Sequence, residues 1–232
     1  MMNVTDLHVC AKIAKEHGLL LIVDNTFLSP YLQNPIALGA DIVLHSGTKF
    51  LSGHNDTLSG FLSCASQELA DQVRMIAKTT GGILAPFDCW LMLRGIKTLS
   101  VRMERQQENA LQVAQWLAKH PKVSRVYYAG LPEHPGYEIN RKQARGAGSM
   151  ISFRTDSEET ARRVLEKVKM ITFAESLGGT ESLITYPMLQ THCDVPRQMR
   201  ERLGITETLL RLSVGLEHVD DIIADLAQAL EE

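Results

Sequence analysis

Apolar residues recur along the chain in two periods, and the switches between them mark the elements. Leu7, Cys10, Ala11 and Ala14 fall at helical spacing and predict a helix over Asp6–His17, with Thr5 as N-cap and Gly18 as the stop. Leu19–Val23 and Ile42–Leu44 are instead unbroken apolar runs with the length of buried strands, each followed by polar residues and turn formers. A helix feeding a strand is the unit from which parallel sheets are built. Pro30 and Pro35 bracket a loop or short helix between the two runs. Gly60–Ala65 predicts a third strand and Gln67 to about Lys78 a helix. Thr79–Pro86 predicts a loop, where adjacent glycines reach backbone angles that other residues avoid. One long helix is predicted from about Phe87 to His120, bent near Gly95 and ended by Pro121.

Beyond Pro121 the pattern changes. Short strands are predicted at Val123–Tyr128, Ser149–Arg154, Ile171–Ala174 and Leu209–Val214, with a polar helix and loop over Tyr137–Gly146. Asp156 and Glu159 predict the N-cap and capping box of a helix to Lys169. Val219, Ile222, Ile223, Leu226 and Leu230 form one apolar stripe on the last helix. Strands with helices over one face predict a small α+β domain. The long helix serves as its hinge, dividing residues 1–95 from residues 96–232.

Composition narrows the function classes. The 232 residues are enough for one large or two small domains, and the net charge of −3 gives no electrostatic reason for nucleic acid or an anionic membrane as partner. No apolar run approaches the roughly 20 residues that span a bilayer, and the first residues lack a secretion pattern. The four cysteines, Cys10, Cys64, Cys89 and Cys193, lie far apart and read as reduced thiols in a cytoplasmic protein. His192, Cys193 and Asp194 are adjacent, and His45 and His54 flank Lys49, but neither group has metal-ligand spacing, so no metal is expected.

The candidate chemistry sits where the two apolar runs end. The first delivers Asp24; the second delivers Ser46, Thr48 and Lys49. If the two strands are parallel neighbours, these side chains emerge at one edge, beyond the carboxyl ends, where open α/β sheets bind ligands. Pyridoxal 5′-phosphate needs an amine for its aldehyde, a carboxylate for its pyridine nitrogen and donors for its phosphate. Lys49, Asp24 and the Ser46/Thr48 pair meet those needs in turn. The same residues also admit a plain reading as a surface lysine, a capping aspartate and turn hydroxyls.

The stretch VDNTFLSPYLQNPIALGADIVLHSGTKFLSGHND resembles the cofactor segment of the Cys/Met-metabolism PLP enzymes, and the resemblance continues through LRGIKTLSVRME, FAESLGGTESLI and LLRLSVGLE. These four motifs stand in the family's order and cover essentially the whole chain. The resemblance implies an aspartate-aminotransferase-like α/β fold of type I. A partial cofactor domain with a mainly parallel sheet would be followed by the smaller α+β domain. It implies that Lys49 carries the cofactor, Asp24 pairs with its ring nitrogen, and Ser46 and Thr48 contact its phosphate. Arg211 would bind the substrate α-carboxylate with Ser176 beside it, and Glu175 would face the distal end of the substrate.

The implied activity makes or breaks the C–S bonds of cystathionine and related sulfur amino acids, as a cystathionine γ-synthase or γ-lyase does. Cystathionine β-lyase and homoserine-ester sulfhydrylase are the alternatives. The resemblance also implies small amino-acid substrates and a homotetramer built from dimers. It aligns the chain with the C-terminal portion of a family member, lacking the phosphate loop and the tyrosine that stacks on the cofactor. A different class of role, an inactive fragment or assembly partner, therefore stands beside the enzymatic one.

Overall fold

The structure, a computed structural model, describes residues 1–190 and 192–231. Helix α1 spans Leu7–Glu16, and its N-cap is Asp6, whose carboxylate accepts from the Val9 amide at 3.2 Å. A carboxylate complements the positive helix end as well as capping it, so the aspartate takes the position the sequence assigned to Thr5. Strand β1 (Ile22–Asp24) pairs in parallel with β2 (Ile42–Ser46), in the register Ile22 to Ile42 and Asp24 to Leu44. The one-turn helix α2 (Ser29–Leu32) and a 3₁₀ turn (Pro35–Leu38) connect them. Strand β3 (Gly60–Cys64) adds to the other side of β2, antiparallel. This sheet therefore has the order β1-β2-β3.

Contrary to the reading of Leu19–Val23 as a buried strand, Leu19, Leu20 and Ile22 are 62%, 58% and 59% exposed. The reason is position, since β1 lies at the edge of the sheet with a neighbour on one side only.

After α3 (Gln67–Thr80), the single long helix predicted from Phe87 is two helices, α4 (Pro86–Ile96) and α5 (Leu99–Leu117). The expected bend is a break. The carbonyl of Gly95 accepts from Thr98 N, Thr98 Oγ1 and the Arg102 guanidinium, so it is drawn out of the regular helical ladder.

The second sheet contains β4 (Val123–Tyr127), β5 (Met150–Thr155), β6 (Thr172–Phe173), β7 (Leu183–Thr185) and β8 (Leu209–Ser213), in the order β4-β5-β8-β7-β6. Pairing is antiparallel except between β6 and β7. Strand β7 escaped the sequence reading because three residues cannot display a period. Helices α5, α7 (Glu158–Lys167) and α9 (Val219–Glu231) pack with this sheet around one core. Val113, Ala114 and Leu117 meet Ile151, Phe153, Leu210, Leu212, Ile222 and Leu226 there. Ser157, not Asp156, caps α7 by accepting from Thr160 N at 3.1 Å, while Asp156 pairs with Lys122 at 3.2 Å. Helices α6 (Tyr137–Gln143) and α8 (Arg197–Leu203) complete the described elements. Among the described residues no helix is long and apolar enough to cross a membrane.

Candidate active site

The parallel register brings the ends of β1 and β2 side by side, and both deliver functional groups there. Asp24 closes β1, and its Oδ1 accepts from the Thr26 amide at 3.0 Å and the Thr26 hydroxyl at 2.5 Å. Strand β2 ends in Ser46 and runs directly into a π-helical turn, Gly47–Leu51. Gly47 admits no side chain: a Cβ would sit 2.3 Å from Ser59 Oγ and 2.6 Å from the Phe61 ring. Lys49 interrupts the turn with non-helical angles, φ −93° and ψ −123°. Wide turns of this kind recur at functional sites.

Asp24, Ser46 and Lys49 line one cavity of about 770 Å³, together with Thr26, Met150 and Leu177. That volume suits a small-molecule cofactor. Glu175, Ser176 and Arg211 are not among the cavity's lining residues, and neither is Thr48. The Thr48 hydroxyl accepts from Ser59 N at 3.0 Å and donates to Ser59 O at 3.4 Å, tying the turn to the start of β3. His45 lies buried with its Nε2 3.3 Å from Asn25 Nδ2, and burial pushes its pKa down against the opposing pull of Asp24.

The second sheet supplies the other half of the site. Lys49 Nζ donates to Ser176 Oγ at 3.2 Å. Arg211, on β8, donates through Nη2 to the Glu175 carbonyl at 2.8 Å and to Thr185 Oγ1 at 3.2 Å. Burial lowers the proton affinity of Lys49, the Arg211 guanidinium lowers it further, and Glu175 opposes both. A lysine so placed is a better nucleophile near neutral pH than a solvated one. Among the described residues no carboxylate forms an ion pair with Arg211, and the Glu175 side chain is exposed.

The loop bearing Glu175 and Ser176 is held from several sides. Gly178 N donates to Ser213 Oγ at 2.8 Å, and Gln106 Nε2 donates to Gly179 O at 2.6 Å. Gly178 has φ +77°, and a Cβ there would lie 2.8 Å from Phe50 N, so the loop rests directly on the lysine turn. From beneath, Arg102 donates to the carbonyls of Phe50 at 2.7 Å and Leu51 at 3.3 Å.

The arrangement thus offers an amine, a hydroxyl beside it, a guanidinium without a carboxylate and a carboxylate across the cavity. Among the described residues no hydrogen bond reaches Asp24 Oδ2 or the Ser46 hydroxyl, so both can serve a ligand. This donor set fits pyridoxal phosphate. Thr26, Thr185, Ser213, Gln106 and Arg102 escaped the sequence reading. Arg102 and Gln106 had a signal, because both sit on the apolar stripe of α5 with Leu99 and Met103. The two threonines and Ser213 carry none that distinguishes them from ordinary strand and turn hydroxyls.

The profile of the family described as Cys/Met metabolism PLP-dependent enzyme matches residues 1–231. Over 231 residues the chain is 50% identical to a cystathionine gamma-lyase of Bacillus subtilis (strain 168), covering 100% of this chain and 61% of that protein. A cystathionine beta-lyase of the same strain is 48% identical over 231 residues, covering 100% of this chain and 59% of that protein. Among solved structures, a cystathionine gamma synthase from Xanthomonas oryzae pv. oryzae, in complex with aminoacrylate and cysteine, superimposes with a TM-score of 0.96. That match is 42% identical and covers 98% of this chain and 59% of that one. The chain therefore spans about three fifths of the length of these relatives.

Proposed function

The chain belongs to the Cys/Met metabolism PLP-dependent enzymes, and from that membership we propose that its cleft makes or breaks C–S bonds of cystathionine and related sulfur amino acids. The activity would be that of a cystathionine γ-synthase or γ-lyase. The observation that carries this reading is the convergence of Lys49, Ser176 and Arg211 opposite Asp24. β-Lyase activity is the second reading, supported by the 48% identity to a beta-lyase; homoserine-ester sulfhydrylase activity is a further alternative.

Bound pyridoxal phosphate supplies an aldehyde that captures amines and a ring that withdraws electrons from the attached amino acid. Lys49 would hold that aldehyde and, once released by a substrate amine, carry protons to and from the substrate carbons. Asp24 Oδ2 would keep the proton on the ring nitrogen. The Ser46 hydroxyl would take the phosphate, and Thr48 would join it by turning its hydroxyl out of the Ser59 backbone. Arg211 would grip the substrate α-carboxylate with the N–H groups not engaged by Glu175 O and Thr185. Ser176 holds the Lys49 amine in place, and the exposed Glu175 carboxylate would receive a distal ammonium.

In this reading residues 1–95 serve the cofactor and residues 96–232 the substrate. The protein works as an assembly of copies, supported by the exposed Phe87, Trp90 and Leu93 on α4. The test is reconstitution of the chain with pyridoxal phosphate, borohydride reduction and peptide mapping, alongside assays on cystathionine and homoserine esters. Label on Lys49 with turnover is expected. Label without turnover would point to an assembly partner, and label that survives Lys49→Ala would overturn the assignment.

A further inference from the structure

The backbone ladder between β1 and β2 ends one step before the functional residues do. Asn25 N still donates to Leu44 O at 2.9 Å, but the Asn25 carbonyl turns away to accept from Ser29 N at 3.0 Å, opening α2. The next amide of β2, that of Ser46, therefore lacks a backbone acceptor on β1. A side chain replaces it, because Ser46 N donates to Thr26 Oγ1 at 2.8 Å.

That bond fixes the direction of the next one. With an oxygen lone pair taken by Ser46, the Thr26 hydroxyl proton points to Asp24 Oδ1 at 2.5 Å, the length of a charge-assisted bond. The Thr26 amide donates to the same oxygen at 3.0 Å. Oδ1 thus has two donors from one residue, while Oδ2 is left to the cavity. Thr26 itself is buried, whereas the Asp24 carboxylate it holds is exposed.

We infer that Thr26 is a positioning residue that locks Asp24 and Ser46 to each other and presents one carboxylate oxygen to the ring nitrogen of the cofactor. The inference rests on the pyridoxal-phosphate reading of the cleft. Thr26 acts through Asp24. Without its hydroxyl the carboxylate is held at Oδ1 by the Thr26 amide alone and the Ser46 amide loses its acceptor, so the link between the two ends of the cofactor site is broken.

The test compares dissociation constants for pyridoxal phosphate and for its 1-deaza analogue, in which a C–H replaces the ring nitrogen. Both are measured by equilibrium dialysis on the full chain and on Thr26→Val and Thr26→Ser. The unaltered chain is expected to prefer the natural cofactor by about tenfold or more, the range for a hydrogen bond to a charged group. Thr26→Val, with the same shape and no hydroxyl, should lose most of that preference, and Thr26→Ser should keep it. A purely structural role would weaken both ligands equally and leave the ratio unchanged, which would overturn the inference alone. Should Thr26→Val fail to fold, loss of the preference in folded Thr26→Ser would overturn it equally. Failure of the unaltered chain to bind either ligand would overturn the cofactor reading, and the inference with it.

Discussion

Lys49 is tuned by its surroundings. Its proton affinity is lowered by burial and by Arg211 and raised by Glu175, so the neighbours make opposite predictions. Glu175→Gln removes the one favourable charge and should shift the onset of Lys49 reactivity to lower pH. Arg211→Met removes a repelling cation and should shift it to higher pH. Amine labelling across a pH series, read at Lys49 by mass spectrometry, measures both, and a shift of the same sign in the two variants would contradict the assignment of charges. Arg211→Lys tests the carboxylate grip. A lysine gives a point charge where the guanidinium gives a planar fork, so KM for amino-acid substrates should rise about 10- to 100-fold. Cofactor affinity should change far less; equal losses would indicate a structural role.

At the level of elements, the lysine turn depends on groups remote in sequence. Arg102 is buried and donates to the carbonyls of Phe50, Leu51 and Gly95, with no carboxylate partner among the described residues. Arg102→Met would strip the Phe50 and Leu51 carbonyls of this buried donor and leave Gly95 O to Thr98 alone. The expected loss is roughly 2–4 kcal/mol in urea unfolding, since each unsatisfied buried acceptor costs about 1–3 kcal/mol. Gly178→Ala tests the loop above the turn. The positive φ and the 2.8 Å approach to Phe50 N both oppose a Cβ, so a cost of about 1–3 kcal/mol is expected from the same measurement. A neutral outcome for either variant would show that the turn is held otherwise.

Across the whole molecule, apolar surface is unevenly distributed. The second sheet is closed under α5, α7 and α9, whereas Phe87, Trp90 and Leu93 of α4 are 67%, 54% and 68% exposed. We expect this patch to be covered by another copy of the chain. Sedimentation velocity should show the chain self-associating as its concentration rises, and Phe87→Lys with Trp90→Lys should shift it toward monomer with helical content retained. Association unchanged by the double variant would place the interface elsewhere, with the exposed Leu20 and Ile22 beside and on the β1 edge the next surface to test.

Much of this was determined by local sequence. Apolar runs and helical stripes located most elements, because periodicity follows from which face each element buries. The motifs around Lys49 and Arg211 singled out the side chains proposed to carry chemistry, because those residue types are demanded by an amine-binding cofactor and a carboxylate ligand. Tertiary structure alone decided how the halves meet. Lys49 and Ser176 are 127 residues apart in the chain yet hydrogen-bonded, a pairing no local pattern encodes. The structure also decided that Thr48 serves β3, that Thr26 stands in for a missing backbone acceptor, and that Gly95 breaks a helix. In each case a polar group found its partner across the fold, and a buried hydrogen bond is satisfied by whatever the packing brings near. Sequence spacing predicts which face a residue occupies, but not what arrives opposite it.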